Sequence, residues 1–146
     1  MNVRYKQIET INEFIDAIRI RIEVFIIEQK CPPGYDPDEL DKASKHYIAL
    51  VDNTIVAMVR LREDPKGFGK IENMVVKKEY RKKGIGTGLT EYITKQAQKQ
   101  GYKKIWMQAQ KHAQHVYEKT GFKVTSEPYD LYNLGIPHVD MEYIGK

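Results

Sequence analysis

With 146 residues, 41% apolar and 30% charged, the chain has the size and balance of one globular domain, spanning 1–146 around a single core. The formal net charge of +4 favours polyanionic ligands. The excess gathers at Lys77–Lys83 and Lys95–Lys104 rather than along one recognition helix, which points to a phosphate-bearing cofactor and away from a nucleic-acid partner. A lone cysteine, Cys31, excludes an internal disulfide and fits a reducing compartment. No stretch approaches the length of a membrane span, and the opening Met-Asn-Val-Arg-Tyr-Lys lacks a signal peptide's apolar centre, so a cytoplasmic protein without a membrane partner is expected.

Residues 3–8 read as a short strand, and Thr10 with Glu13 forms a capping box that starts a helix. Apolar residues at 11, 14, 15, 18, 22, 25 and 26 predict its core face, with Asn12, Asp16, Arg19 and Glu23 in water. Cys31-Pro32-Pro33-Gly34 ends that helix and opens an irregular segment carrying Asp36, Asp38, Glu39 and Asp41, which reads as a solvated acidic loop. Strands follow at 47–51 and 55–62, turned by Asp52-Asn53, and a third at 68–76 after Asp64-Pro65-Lys66-Gly67. A helix from Ile85 presents Ile85, Leu89, Tyr92 and Ile93 to the core and stops at Gly101, a left-handed cap. A strand at 104–109, a short helix at 112–119 and two strands at 123–129 and 139–143 complete the chain. This order predicts an α/β architecture, a mixed and mostly antiparallel sheet flanked by helices.

The most informative segment is Tyr80-Arg-Lys-Lys-Gly-Ile-Gly-Thr-Gly-Leu89, between the strand Met74-Val75-Val76 and a helix. Glycines at 84, 86 and 88 keep side chains off a sharp strand-to-helix turn, so backbone N–H groups converge on an anion with help from the helix dipole. Arg81, Lys82 and Lys83 add charge. The segment lacks the Gly-Lys-Ser/Thr of a P-loop, and no carboxylate ends the strand at 104–109 as a dinucleotide site requires.

What remains, Arg81-x-x-Gly84-x-Gly86, resembles the pyrophosphate loop of the GNAT superfamily of N-acetyltransferases. The run Gln110-Lys-His-Ala113-Gln-His-Val-Tyr117-Glu-Lys-Thr-Gly121-Phe122 is similar to that superfamily's Asn-x-x-Ala-x-x-x-Tyr-Glu-Lys-x-Gly-Phe segment, with Gln110 where asparagine is usual. Arg21 to Gln29, Cys31-Pro32, His46 and Gly135-Ile-Pro-His138-Val-Asp-Met141 resemble the ElaA-like and YjcF-like branch. The resemblance implies that strand 68–76 splays from strand 104–109 and admits the pantetheine arm of acetyl-CoA, the implied cosubstrate. Met74, Val75 and Val76 then supply backbone contacts, Arg81, Lys82, Lys83, Gly84, Ile85, Gly86 and Thr87 the pyrophosphate site, and Gln110 a further cofactor contact. It also implies Tyr117 as the general acid that protonates the departing thiolate.

A base must take the proton of the acceptor amine, and Glu72, His138 and Glu28 are the candidates. Glu72 lies an even number of residues from Met74, so strand alternation sets both on one face. His138 also reads as a structural turn residue. Asp36, Asp38, Glu39 and Asp41 miss the spacing of a calcium loop, and His112 with His115 has no third ligand in sequence, so no metal is expected. Cys31 reads as a small buried thiol. The implied activity is transfer of an acetyl group to a small-molecule or peptide amine, by a monomer or homodimer. The alternative is a CoA-binding regulatory module without turnover.

Overall fold

A computed structural model describes residues 1–145 and shows an eight-stranded sheet in the order β1-β2-β3-β4-β5-β8-β6, with β7 paired to β8. The strands are β1 (Val3–Gln7), β2 (Lys45–Val51), β3 (Thr54–Glu63), β4 (Gly69–Val76), β5 (Ile105–Gln110), β6 (Phe122–Val124), β7 (Tyr129–Asp130) and β8 (Pro137–Tyr143). Every pairing is antiparallel except β4 with β5. The helices are α1 (Ile11–Arg21), continued by π-helical turns over Ile22–Glu28, α2 (Ile85–Lys99) and α3 (Gln114–Lys119).

Alternation along the central strands builds two cores on opposite faces of the sheet. Tyr47, Ala49, Val59 and Leu61 pack with Ile85, Leu89, Ile93 and Ala97 of α2, while Ile48, Leu50 and Met58 pack with Ala17, Ile18, Val24 and Phe25. In α2 the buried Thr90 and Thr94 hydroxyls donate to the carbonyls of Gly86 and Thr90, so they sit in the core with their polar groups satisfied. Gly101, at φ 82, follows the helix as the expected left-handed cap.

Three expectations need correction. The core stripe of α1 runs through Ala17, Ile18, Arg21, Val24 and Phe25, whereas Ile11 and Ile15 face water. The reason is ionic: Arg21 is wholly buried at the centre of that face, and the apolar count passed over it. The expected strand at 123–129 breaks into β6 and β7. Pro128 has no N–H for a ladder, and Ser126 Oγ instead accepts the Asp140 N–H at 2.9 Å.

The segment carrying Asp36, Asp38 and Asp41 is not a solvated loop. It folds inward against two arginines. Arg21 donates to both Asp36 and Asp41, the latter at 2.9 and 2.8 Å. Arg60 of β3 donates to Asp38 at 2.7 Å and to Asp41 at 2.9 Å, and it also holds Glu72, its neighbour across the ladder. Arg62 and Lys70 reach the same Glu72 carboxylate at 2.6 and 3.0 Å. Four cations and four carboxylates thus balance, tying α1, the 36–41 segment, β3 and β4 together. Burial alone would raise the Asp41 pKa, but hydrogen bonds and charge from Arg21 and Arg60 outweigh it and hold the carboxyl at about 2.

Removing a buried member leaves buried partners charged and unpaired. Arg21→Leu should lower stability by about 3–5 kcal/mol, whereas Lys42→Ala, which breaks the solvent-exposed pair with Glu39, should change it little. Urea denaturation at neutral pH measures both. Because Asp41 is depressed from its ordinary 3.8 to about 2, its contribution is complete above about pH 4 and disappears as the pH falls towards 2. The acid loss of stability in that window should be shallower for Asp41→Asn than for the wild type.

Candidate active site

Parallel pairing between β4 and β5 covers only Gly69 with Ile105, Lys70 with Trp106 and Ile71 with Met107. Beyond Ile71 the two strands part, and the expected splay is present. On its other edge β4 carries a bulge: Met58 faces Val75 and Arg60 faces Glu72, so two steps on β3 span three on β4. Asn73 lies in this bulge at φ 57, a left-handed conformation that asparagine tolerates better than most residues. The bulge also overturns the alternation argument for Glu72. Val75 joins the α1-side core and Met74 the α2-side core, so Glu72, opposite Arg60, lies on the face away from Met74.

The gap opens into a cleft of about 960 Å³ that passes from one face of the sheet to the other. Its α2 side is lined by Met74, Val76, Lys82, Gly84, Gly86, Thr87, Thr90, Val116 and Tyr117. The turn into α2 has the geometry of an anion nest: Lys82 and Gly84 take φ values of 62 and 81, and no side chain caps the helix. Its first N–H groups therefore face the cleft mouth without a side-chain acceptor. An added Cβ at Gly84 would touch nothing, so the need there is conformational; one at Gly86 would meet only Val76, at 3.6 Å. Gly88 has a different purpose from the one its spacing suggested. A Cβ there would lie 1.9 Å from the Tyr5 hydroxyl, so this glycine admits β1 against α2.

The remaining residues of the loop divide. Ile85 turns into the core, Lys82 and Lys83 face solvent, and Arg81 reaches sideways. Its Nε donates to the Val76 carbonyl at 2.9 Å, and its two terminal nitrogens donate to Glu28 at 2.9 Å each. That guanidinium fastens the turn to the end of β4 and to the π-helical segment.

Tyr117 is buried beside Phe122 and lines the cleft. Burial raises its phenol to about 12, so it stays protonated across the neutral range. His138 is also buried and lines the cleft from β8, opposite Gln110 of β5. Its Nδ1 lies 2.7 Å from the Ile136 carbonyl. A carbonyl only accepts, so Nδ1 carries the proton and Nε2 keeps its lone pair. Burial lowers the His138 pKa against the pull of that hydrogen bond, which favours the neutral ring.

Glu72 also lines the cleft, but Arg60, Arg62 and Lys70 surround its carboxylate. Burial alone would raise its pKa; these partners win and lower it, which makes it a poor proton acceptor. Gln110 exchanges two hydrogen bonds with Gln29, at 3.0 and 2.8 Å, bridging β5 to the end of the α1 extension. Sequence reasoning missed this partner, as it missed Arg60 and Asn73. An asparagine inside an apolar strand was the one available signal for the bulge. Cys31 is buried, as expected, and among the described residues no group of histidine, cysteine or carboxylate side chains could hold a metal ion.

The model of the acetyltransferase (GNAT) domain matches residues 6–144. "Uncharacterized N-acetyltransferase YjcF" of Bacillus subtilis is 34% identical over 86% of this chain and 89% of its own, and protein ElaA of Escherichia coli is 25% identical over 90% and 88%. Among solved structures, an acyl-CoA N-acyltransferase from Pseudomonas aeruginosa superposes with a TM-score of 0.83 at 29% identity, covering 98% of this chain and 99% of that one. Escherichia coli ElaA gives 0.85 at 20% identity over 97% and 99%. With a splayed β4–β5 pair, a glycine nest at the start of α2 and this family match across nearly its whole length, the chain belongs to the GNAT acetyltransferase family.

Proposed function

We propose that this protein is an acetyl-CoA-dependent N-acetyltransferase that moves the acetyl group directly to the primary amine of a small-molecule or peptide acceptor. One observation carries the reading: the uncapped glycine turn of α2, the unpaired edges of β4 and β5, and Tyr117 all line one cleft. A structural neighbour from Bacillus anthracis was crystallised with acetyl coenzyme A, at a TM-score of 0.72 and 20% identity over 98% of each chain.

Coenzyme A offers a diphosphate, an extended diamide arm and a thioester, and each matches a feature of the cleft. The nest of Lys82 and Gly84, with the N–H groups of Ile85, Gly86 and Thr87, suits the diphosphate. On the edge of β4 that β5 leaves unpaired, backbone groups at Met74 and Val76 suit the amide arm, as an added strand would pair there, with the Val76 carbonyl also accepting from Arg81. An N–H released by the Asn73 bulge can hold the oxyanion that forms when an amine attacks the thioester carbon. In that attack the nitrogen lone pair forms the N–C bond and the C–S pair leaves on sulfur. Tyr117 gives its phenolic proton to the sulfur, and His138 Nε2 takes the proton released by nitrogen. Glu72 positions: it fixes Arg60 and Lys70 at the root of the gap.

Wild type should bind CoA by calorimetry, and Gly86→Trp should abolish the heat while leaving the unfolding midpoint close to wild type. Gly84→Ala should cost about 1–2 kcal/mol of stability, because its φ of 81 disfavours any Cβ. No CoA affinity in wild type overturns the reading. In thiol-release assays with amine panels, Tyr117→Phe should lower kcat by about 10²-fold or more, as loss of a general acid does. Retained turnover removes the acid role from Tyr117. A depressed His138 pKa places the acid limb of the kcat profile below the ordinary histidine value of about 6.5. Activity should fall as pH drops through that limb, and His138→Ala should erase it.

A further inference from the structure

The α1 side of the cleft carries a row of rings. Phe25, Tyr35 and Tyr132 all line it. Phe25 meets Tyr35 at 5.7 Å and 83°, and Tyr35 meets Tyr132 at 6.4 Å and 67°, both edge to face. The row runs from the buried Phe25 to Tyr132, which is 66% exposed.

Tyr132 is held there against its own preferences. It takes φ 61 and ψ 19, a left-handed conformation that is rare for a bulky residue, and Asn133 follows at φ 56. Across the loop, the Gly135 N–H donates to both carboxylate oxygens of Asp130 at 2.9 Å. The loop thus presents an aromatic side chain to water at the mouth of the cleft.

The charged groups at this end are already paired with one another. Asp38 is held by Arg60, and Glu72 by Arg60, Arg62 and Lys70. Lys70 also donates to Gln108 at 2.6 Å, and Gln29 is closed on Gln110. A polycation or an anionic acceptor would find every charge that lines this end neutralised, so desolvating its additional charges would go uncompensated. An apolar ring meets the opposite situation.

We propose that the acceptor is a small primary monoamine with an aromatic ring a short chain away from its nitrogen, the ring seated against Tyr35 and Tyr132 and the amine directed into the β4–β5 gap. This specificity rests on the acyltransferase reading above and uses the same bond changes. Phe25 backs Tyr35, and the charge-balanced cluster behind them excludes competing polyamines and aminosugars.

The test compares 2-phenylethylamine, n-butylamine, spermidine and glucosamine as acceptors with acetyl-CoA, by thiol release. Saturation-transfer NMR of 2-phenylethylamine on the CoA-loaded protein gives a readout independent of turnover. The aromatic amine should exceed each other acceptor in kcat/KM by about tenfold or more and should show ring saturation. Tyr132→Ala should lower its kcat/KM about tenfold, chiefly through KM, and weaken the ring signal, a loss on the scale of one aromatic contact. Tyr132→Phe should restore both. CoA affinity should stay within twofold in both variants, which shows that the fold and cofactor site persist. Absence of CoA heat in wild type defeats the transferase reading and this inference with it. CoA binding with equal or better use of n-butylamine, spermidine or glucosamine, or no ring saturation on the CoA-loaded protein, overturns the acceptor assignment alone.

Discussion

The parting of β4 from β5 after Ile71 and Met107 is the constraint on which the rest of the structure depends. A parallel pair buried at the centre of a sheet normally continues its ladder, because unpaired backbone groups in a dry interior are costly. Here the ladder stops after three residue pairs, and the free edges line a cleft that an extended ligand can enter. The bulge at Asn73 falls at that same point on the opposite edge of β4, against β3. Helix α2 must then begin close to the end of β4, which brings its uncapped N–H groups to the cleft mouth.

A sheet weakened at its middle needs reinforcement elsewhere, and the buried ion cluster supplies it. Arg60 sits on β3 and Glu72 on β4, directly opposite each other and just before the bulge. Arg21 and Asp41 tie this pair to α1 and to the 36–41 segment, and Arg21, Asp41 and Arg60 are buried. Buried charges at balance contribute little net stability compared with an apolar core of the same shape, but they tolerate few alternative arrangements. The cluster therefore fixes position: it sets the angle of the α1 extension over the cleft and holds Lys70 and Gln108 at its root.

What the sequence made legible follows from how local each feature is. The capping box at Thr10, the hairpins, the start of α2 and the cap at Gly101 are decided within a few residues, and they stand where the residue pattern put them. The glycine nest is equally local. Features that depend on distant partners were not readable in the same way. Arg21 interrupts an apolar stripe, and nothing near it in sequence reveals that Asp36 and Asp41 fold back to neutralise it. The acidic segment looked solvated because its arginines lie on another helix and on a strand. Glu72 was assigned a face by strict alternation, and one left-handed residue at Asn73 invalidated the count beyond it.

The same distinction separates the two halves of the cleft. On the α2 side, the proposed cofactor surface consists of main-chain N–H groups, glycine conformations and a single tyrosine, a set that a short motif can encode. On the α1 side, the surface is assembled from the α1 extension, the 36–41 segment, β3 and the 130–135 loop, and its charges are cancelled before any ligand arrives. Family membership therefore bears on the first half, and under the proposed function the acceptor is left to the second. The aromatic row of Phe25, Tyr35 and Tyr132 matters because it is the apolar feature of that second half that the ion cluster leaves open to a ligand. Under the proposed specificity, an acceptor is chosen there by the surface it can cover without bringing a charge that needs a partner.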